Sequence, residues 1–547
     1  MNSFCEECGN KLAPDDKFCQ ECGTPVPVNV NQDTDKVESN YTYSFFQSKR
    51  GNYIADKNYK FGILFTNFKK FGQQFGPNEL EELKQHISEY LESVKSFGTY
   101  YLVLDASDNY IKTVTDKDWK HHVGLLGKSI KKVKERLDVR VSYVLLFGGT
   151  EIIPMPVFLN PLQNSNDKDV DSDLPYSTLS IANPMDKQDA RTPLVPTGRI
   201  PTGVNTTLND LCVLLGNTLE GMANFSTQKT FGLSTYSWRE VSNAINTSVC
   251  KDSLYVSPGL TIQNVHEHYA DDSMVHYFNL HGSDRAPDWY GQKDDNLPVA
   301  FSPSVIARNR KHNIIGVEAC YGARFIGLKK DESVLLSAMA NKTISFVGSS
   351  RVAWGPSAPP INLADIVIHD YLDLMQSGVP AGEAFRRARM HAFANSKDND
   401  PSTSLLTMME FNLFGDPSFI INDSNGKSAL AKGVSGQLLG IDGDSLKEIS
   451  DEEVEHKSAD GNSESSIYSM VSQAVDDAQR RITELINKQV WEKYPEFKDI
   501  SPKFSKYKFD GKSYNSLTYT KKLDLFDSAI CVSTDETGRI INECSSK

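Results

Sequence analysis

Between residues 100 and 350 the chain alternates apolar runs of strand length with amphipathic helical text. The runs are YYLVLDAS (100–107), VSYVLLFGG (141–149), TFGLSTYS (230–237), MVHYFNLHG (274–282), NIIGVEACYG (313–322) and TISFVGSS (343–350). Strands apolar on both faces need cover on both faces, and parallel neighbours need crossovers long enough to hold a helix. The pattern predicts an α/β domain, a sheet flanked by helices near 119–137, 208–222, 238–249 and 333–341. Three further helices are expected at 362–376, 380–394 and 403–413.

In such sheets reactive groups gather at the carboxyl ends of strands. Two runs end in reactive side chains: His281 follows VHYFNL and Cys320 follows IIGVEA. Their separation of 39 positions suffices for a right-handed crossover, so both side chains are expected on one edge of the sheet. An imidazole within reach takes the proton of a thiol and makes it a nucleophile. Gly282 and Gly322 let a substrate approach the backbone, and the N–H groups of Gly282 and Cys320 are the expected oxyanion donors. The chemistry is acyl transfer, meaning peptide hydrolysis. The competing reading of Cys320 is a buried thiol that only packs.

A second pattern lies at the amino terminus. CEECGNKLAPDDKFCQECG carries two C-x2-C pairs, Cys5 with Cys8 and Cys19 with Cys22. Two such turns aim four thiolates at one ion, the arrangement of a structural zinc ribbon with no open coordination position. Zn2+ there would fold a segment too small for a core of its own. The ribbon's acidic balance favours docking to a regulatory protein. The other five cysteines are scattered, which suits reduced thiols and a cytoplasmic address. No basic and apolar leader opens the sequence, and no apolar run reaches the roughly 18 residues of a membrane helix. A net charge of -13 argues against a nucleic-acid partner. Neither nucleic acid nor membrane is expected.

Other residues read as structural. His266 and His268 are placed on a surface or edge strand, His276 in the core, His121 and His122 on a solvated helix face, and Cys212 and Cys250 as packed thiols. FGGTEIIP has paired glycines and no Walker lysine.

The runs FNLHGSD, GVEACYGARF, SFVGSSRVAWG, AGEAFRRAR and EFNLFGDPS, with YVLLFGGTEIIP, DSDLPYSTL and TGRIPT upstream, resemble in order and spacing the caspase-like cysteine peptidases of the gingipain type. The resemblance implies the caspase-like α/β fold, with Cys320 as nucleophile and His281 as general base. It also implies that Asp173, in the segment matching SDLPY, faces a basic side chain ahead of the scissile bond and selects Arg or Lys. The alternative for Asp173 is a turn cap before Pro175. Arg351 and Trp354 follow another strand end and are expected to line the cleft. Asp167, Asp169 and Asp171 are candidates to orient the histidine. Gingipains are secreted and carry immunoglobulin-like modules; this chain has a zinc ribbon instead, which favours limited, regulated cleavage inside the cell. Calcium is a candidate activator.

The expected division is a zinc ribbon at 1–27, a linker and extension at 28–97, the peptidase domain at 98–422, an acidic linker at 423–465 and a small α+β domain at 466–547. That last domain would restrain the peptidase, recognise substrate or bind a regulator. The leading expectation is a cysteine endopeptidase acting on protein substrates. The alternative is a non-catalytic scaffold with a degenerate caspase-like fold.

Overall fold

The computed structural model describes residues 59–107, 119–163, 165–225, 229–269, 273–398, 400–421, 477–509 and 511–547. The four ribbon cysteines and the 423–465 linker lie outside the described residues.

Ten strands make the central sheet, in the order Thr99–Asp105, Lys60–Thr66, Val141–Phe147, Thr197–Ile200, Phe411–Gly415, Thr343–Ser349, Asn313–Val317, Val275–Asn279, Thr230–Thr235 and Leu254–Ser257. All neighbours run parallel except at one seam, where Thr343–Ser349 meets Phe411–Gly415 antiparallel. The sheet is mixed, two halves pointing opposite ways. Every residue of Val275–Asn279 and of Thr343–Ser349 is buried, which is why these strands read as continuous apolar runs. A helix forms where expected at Trp119–Leu137, and another precedes it at Pro77–Ser96. Leu208–Asn224 starts with a capping box, Thr207 and Asp210 each satisfying the other's backbone N–H.

Two elements differ from expectation. Lys60–Thr66 sits between two strands of the sheet, so the sheet takes in residues well ahead of the boundary expected at 98. The helix expected at 403–413 is Pro401–Glu410, and Phe411–Gly415 is the seam strand; a short apolar run does not tell helix from strand by periodicity. Gly415 (φ 123°) is required there, because a Cβ would lie 2.2 Å from the Ile344 carbonyl oxygen. The GDPS turn that follows is structural: buried Asp416 accepts from the Tyr90 and Tyr101 hydroxyls at 2.6 Å each and from the Ser418 N–H at 2.7 Å.

At the carboxyl end, helix Asp477–Lys493 precedes an antiparallel meander of Lys503–Phe509, Lys512–Lys522, Asp527–Thr534 and Ile540–Ser546. A fifth strand of this sheet, Trp354–Gly355, comes from the segment that follows the central strand Thr343–Ser349 and pairs with Ile540–Ser546. Ile486, Val490, Leu517, Tyr519 and Val532 form one small core. Tyr507, Phe509, Tyr514 and Cys531 share another with Leu405, Met408, Met409 and Trp354 of the larger α/β domain. Large apolar side chains buried this way contribute about 1.5–3 kcal/mol each, so the shared core fastens the two parts together.

Candidate active site

The strands leading to His281 and Cys320 are parallel neighbours, with Phe278 opposite Val317. The Glu318 N–H extends the ladder to the Phe278 carbonyl at 2.9 Å. His281 and Cys320 therefore stand the same number of residues past one matched pair, on the same edge. Their turns are pressed together: a Cβ on Gly282 would lie 1.7 Å from the Cys320 carbonyl oxygen, so only glycine fits.

Backbone bonds in both directions between His281 and Tyr290, 2.9 and 2.8 Å, fix the histidine. Its Nε2 lies 2.7 Å from Gln292 Oε1. An amide oxygen only accepts, so Nε2 carries the proton and Nδ1 is the ring's proton acceptor. Trp238 meets the ring at 4.3 Å and Phe526 stacks on it at 4.4 Å between centroids. Burial lowers the imidazole pKa to about 4, opposed by the Gln292 bond and helped by the Lys547 ammonium. The base is neutral at pH 7.

Cys320 is likewise buried, and burial pushes its thiol well above the ordinary range, with Glu410 adding to the effect. Its N–H donates to the Lys547 carbonyl at 3.0 Å, and its Sγ lies 3.7 Å from the Ala353 carbonyl. Tyr321, next in the chain, is held in the left-handed region (φ 53°) by an N–H bond to the Arg351 carbonyl at 2.8 Å and by its hydroxyl on Asp167. Such strain clusters at functional turns.

Beside the cysteine lies a closed acidic pocket. Glu318 and Asp365 have no solvent exposure, and the Lys547 ammonium sits 3.8 Å and 3.3 Å from their carboxylates. The same Nζ donates to the Pro356 carbonyl at 2.9 Å and lies 4.7 Å from the Trp238 ring. The Tyr277 hydroxyl donates to the other Glu318 oxygen at 2.8 Å.

Asp173 is engaged inside the fold. Its two carboxylate oxygens accept from Nε and Nη2 of fully buried Arg199 at 2.7 and 2.6 Å, and Arg199 also bonds the Gly148 and Ile153 carbonyls. A carboxylate committed to an internal guanidinium is not available to a substrate cation. Arg351 is 2.7 Å from Asp171, beside the cysteine turn through its carbonyl bond to Tyr321. Trp354 lies in the strand that pairs beside the cleft. Asp167 accepts from Tyr321 and the Val352 N–H, and Asp169 lies on the short strand Asp169–Asp171; Gln292, not one of these three aspartates, holds His281.

Sequence reasoning passed over Gln292, Glu318, Asp365, Trp238 and Phe526. Glu318 carried a signal, since an acid inside the apolar run IIGVEAC is buried against the usual preference of its residue type. His266 and His268 lie on a single helical turn, Val265–His268, rather than a strand. His276 is buried, its Nε2 3.0 Å from the Ser273 carbonyl. Among the described residues no three His, Cys, Asp or Glu side chains gather for a metal ion, calcium included, and no helix is long and apolar enough to cross a membrane.

The sheet, its seam and the paired strand tips define a caspase-like α/β protein. The model of peptidase family C25 matches residues 80–422, most of the chain, and the protein belongs to that family; it is a cysteine peptidase. A zinc-ribbon domain model matches residues 4–26. Among solved structures, the chain is similar to the Arg-specific cysteine proteinase gingipain R (RgpB), with 15% identity over 68% of this chain and 80% of that one, TM-score 0.48. The complex of Porphyromonas gingivalis RgpB pro- and mature domains is matched at 14% identity over 66% and 80%, TM-score 0.47. The Saccharomyces cerevisiae separase–securin complex is matched at 10% over 56% and 18%, TM-score 0.30. Comparison with curated proteins finds no match.

Proposed function

We propose that the protein is an endopeptidase in which Cys320 and His281 form the catalytic dyad and that it cuts protein chains after a basic residue. The observation that carries this is the matched register that ends both strands on one edge. His281 Nδ1 takes the thiol proton as Sγ attacks the scissile carbonyl. The C–N bond then breaks, the imidazolium returns its proton to the leaving amine, and water hydrolyses the thioester with His281 as base. The Cys320 N–H, already bonded to a carbonyl oxygen, suits the oxyanion, and Gly282 packs against that turn without a Cβ in the way. Gln292 positions the histidine.

Preference for a basic residue is supported by the acid pair Glu318 and Asp365. Trp354 and Arg351 stand at the cleft wall. Five free thiols among the described residues, including cross-strand neighbours Cys531 and Cys544, support a reducing compartment such as the cytoplasm. Cys5, Cys8, Cys19 and Cys22 are proposed to bind zinc, on the strength of the ribbon match, and to dock a regulator. Cys320→Ala should abolish cleavage of lysyl and arginyl peptide amides; cleavage at the wild-type rate would refute the dyad.

A further inference from the structure

The cleft is filled from within the molecule. Strand Ile540–Ser546 runs antiparallel to Trp354–Gly355, Ser546 opposite Trp354 and Ser545 opposite Gly355. The ladder continues one residue further, the Lys547 N–H donating to the Ala353 carbonyl at 2.9 Å. The Lys547 carbonyl accepts from the Cys320 N–H, and its side chain, with no exposure, enters the Glu318–Asp365 pocket. Its stem passes over Gly355, where a Cβ would come within 2.5 Å of Lys547 Cε. Main-chain ladder, oxyanion donor and charged pocket, the three things a peptidase offers the residue ahead of the cut, are all taken by one residue of this chain. The turn before Asp527–Thr534 covers the other half of the site. Phe526 stacks on His281, the Ser283 hydroxyl donates to the Leu525 carbonyl, and Arg285 bonds the Leu523 carbonyl at 2.9 Å and Asp527 at 2.7 Å.

We propose that strand Ile540–Ser546 with Lys547 is a resident ligand of the peptidase's own cleft, docked as a lysyl residue ahead of a scissile bond would dock, so that substrate enters only when this strand withdraws. The inference rests on the dyad reading above and adds the occupant and the lysine preference of the pocket. Burial and the neighbouring Asp365 push the Glu318 carboxyl well above the ordinary range and the Lys547 ammonium opposes them, so a cation in the pocket favours the charged form of the pair. One carbonyl accepts from Nζ and two carboxylates from different elements lie 3.8 and 3.3 Å away, an arrangement without the paired, coplanar acceptors that the fork of arginine wants.

The test uses the full chain as wild type, Lys547→Ala and Lys547→Glu, each checked for native circular dichroism. Alkylation of Cys320 by iodoacetamide is followed by mass, and hydrolysis of lysyl and arginyl peptide amides by fluorescence. Both variants should be alkylated about tenfold faster or more, the change that loss of one strong contact produces. They should also hydrolyse lysyl amides faster than wild type, and faster than arginyl ones. The free octapeptide IINECSSK should suppress both gains competitively, and the same peptide ending in alanine should not. Equal alkylation rates in all three proteins, or an inert octapeptide, would overturn the proposal. Faster alkylation without cleavage in any protein keeps the resident strand and removes the dyad; equal cleavage by all three keeps the dyad and removes the resident strand.

Discussion

Gln292 is the only described side chain bonded to the His281 ring nitrogens, and a neutral amide there keeps a buried imidazole uncharged. With the ring pKa at about 4 in the occupied cleft, the base is ready throughout the neutral range. Gln292→Glu would place an anion against Nε2 and favour the imidazolium. Because the base works only when deprotonated, raising its pKa moves the acid limb of kcat/KM to higher pH, by about one unit or more. A pH–rate profile of this variant, made in the Lys547→Ala background so that the cleft is open, checks the direction; an unmoved acid limb would show that Gln292 does not tune the ring. Asp173 teaches a related lesson at the same scale. Its place in the sequence matched a family motif, yet which cation a carboxylate serves is decided by a partner remote in sequence, here Arg199, and no spacing rule announces that.

At the scale of elements, the paired strand tips were legible because buried parallel strands are short, apolar and punctuated by glycine, so VHYFNLHG and IIGVEACYG announced both the strands and what stands at their ends. The small C-terminal domain of helix and sheet was legible too, and the structure turns its last hairpin between Asp527–Thr534 and Ile540–Ser546. What the sequence could not carry was the docking of that sheet on the cleft, since pairing between Trp354–Gly355 and Ile540–Ser546 joins residues far apart in the chain through backbone groups that every residue has. The tight turn at Gly282 offers a test of how the tips are held. Gly282→Ala puts a methyl into the Cys320 carbonyl, and backbone has little room to give. Overpacking of this kind costs about 1–3 kcal/mol. We expect a lowered Tm together with loss of most peptidase activity, and an unchanged Tm in calorimetry would mean that the two turns are not in contact.

For the whole molecule, the shared core matters more than the number of parts. Because Tyr507, Phe509, Tyr514 and Cys531 pack with peptidase side chains, opening the cleft calls for peeling one strand and not for departure of a domain. Hydrogen exchange distinguishes these. In Lys547→Glu the Cys320 amide, which donates to Lys547 in the wild type, should exchange faster, while the amides of Leu517 and Val532, paired at the centre of the meander, stay protected. Joint acceleration of all three would mean that the sheet leaves as a body. The tether has a further consequence. A strand carried on the same molecule stands at an effective concentration on the order of millimolar, and a substrate trades with it hydrogen bond for hydrogen bond along Trp354–Gly355. A dilute peptide with the same contacts therefore loses the competition, whereas a protein gripped elsewhere on this chain meets the cleft at a comparable local concentration and wins its share of encounters.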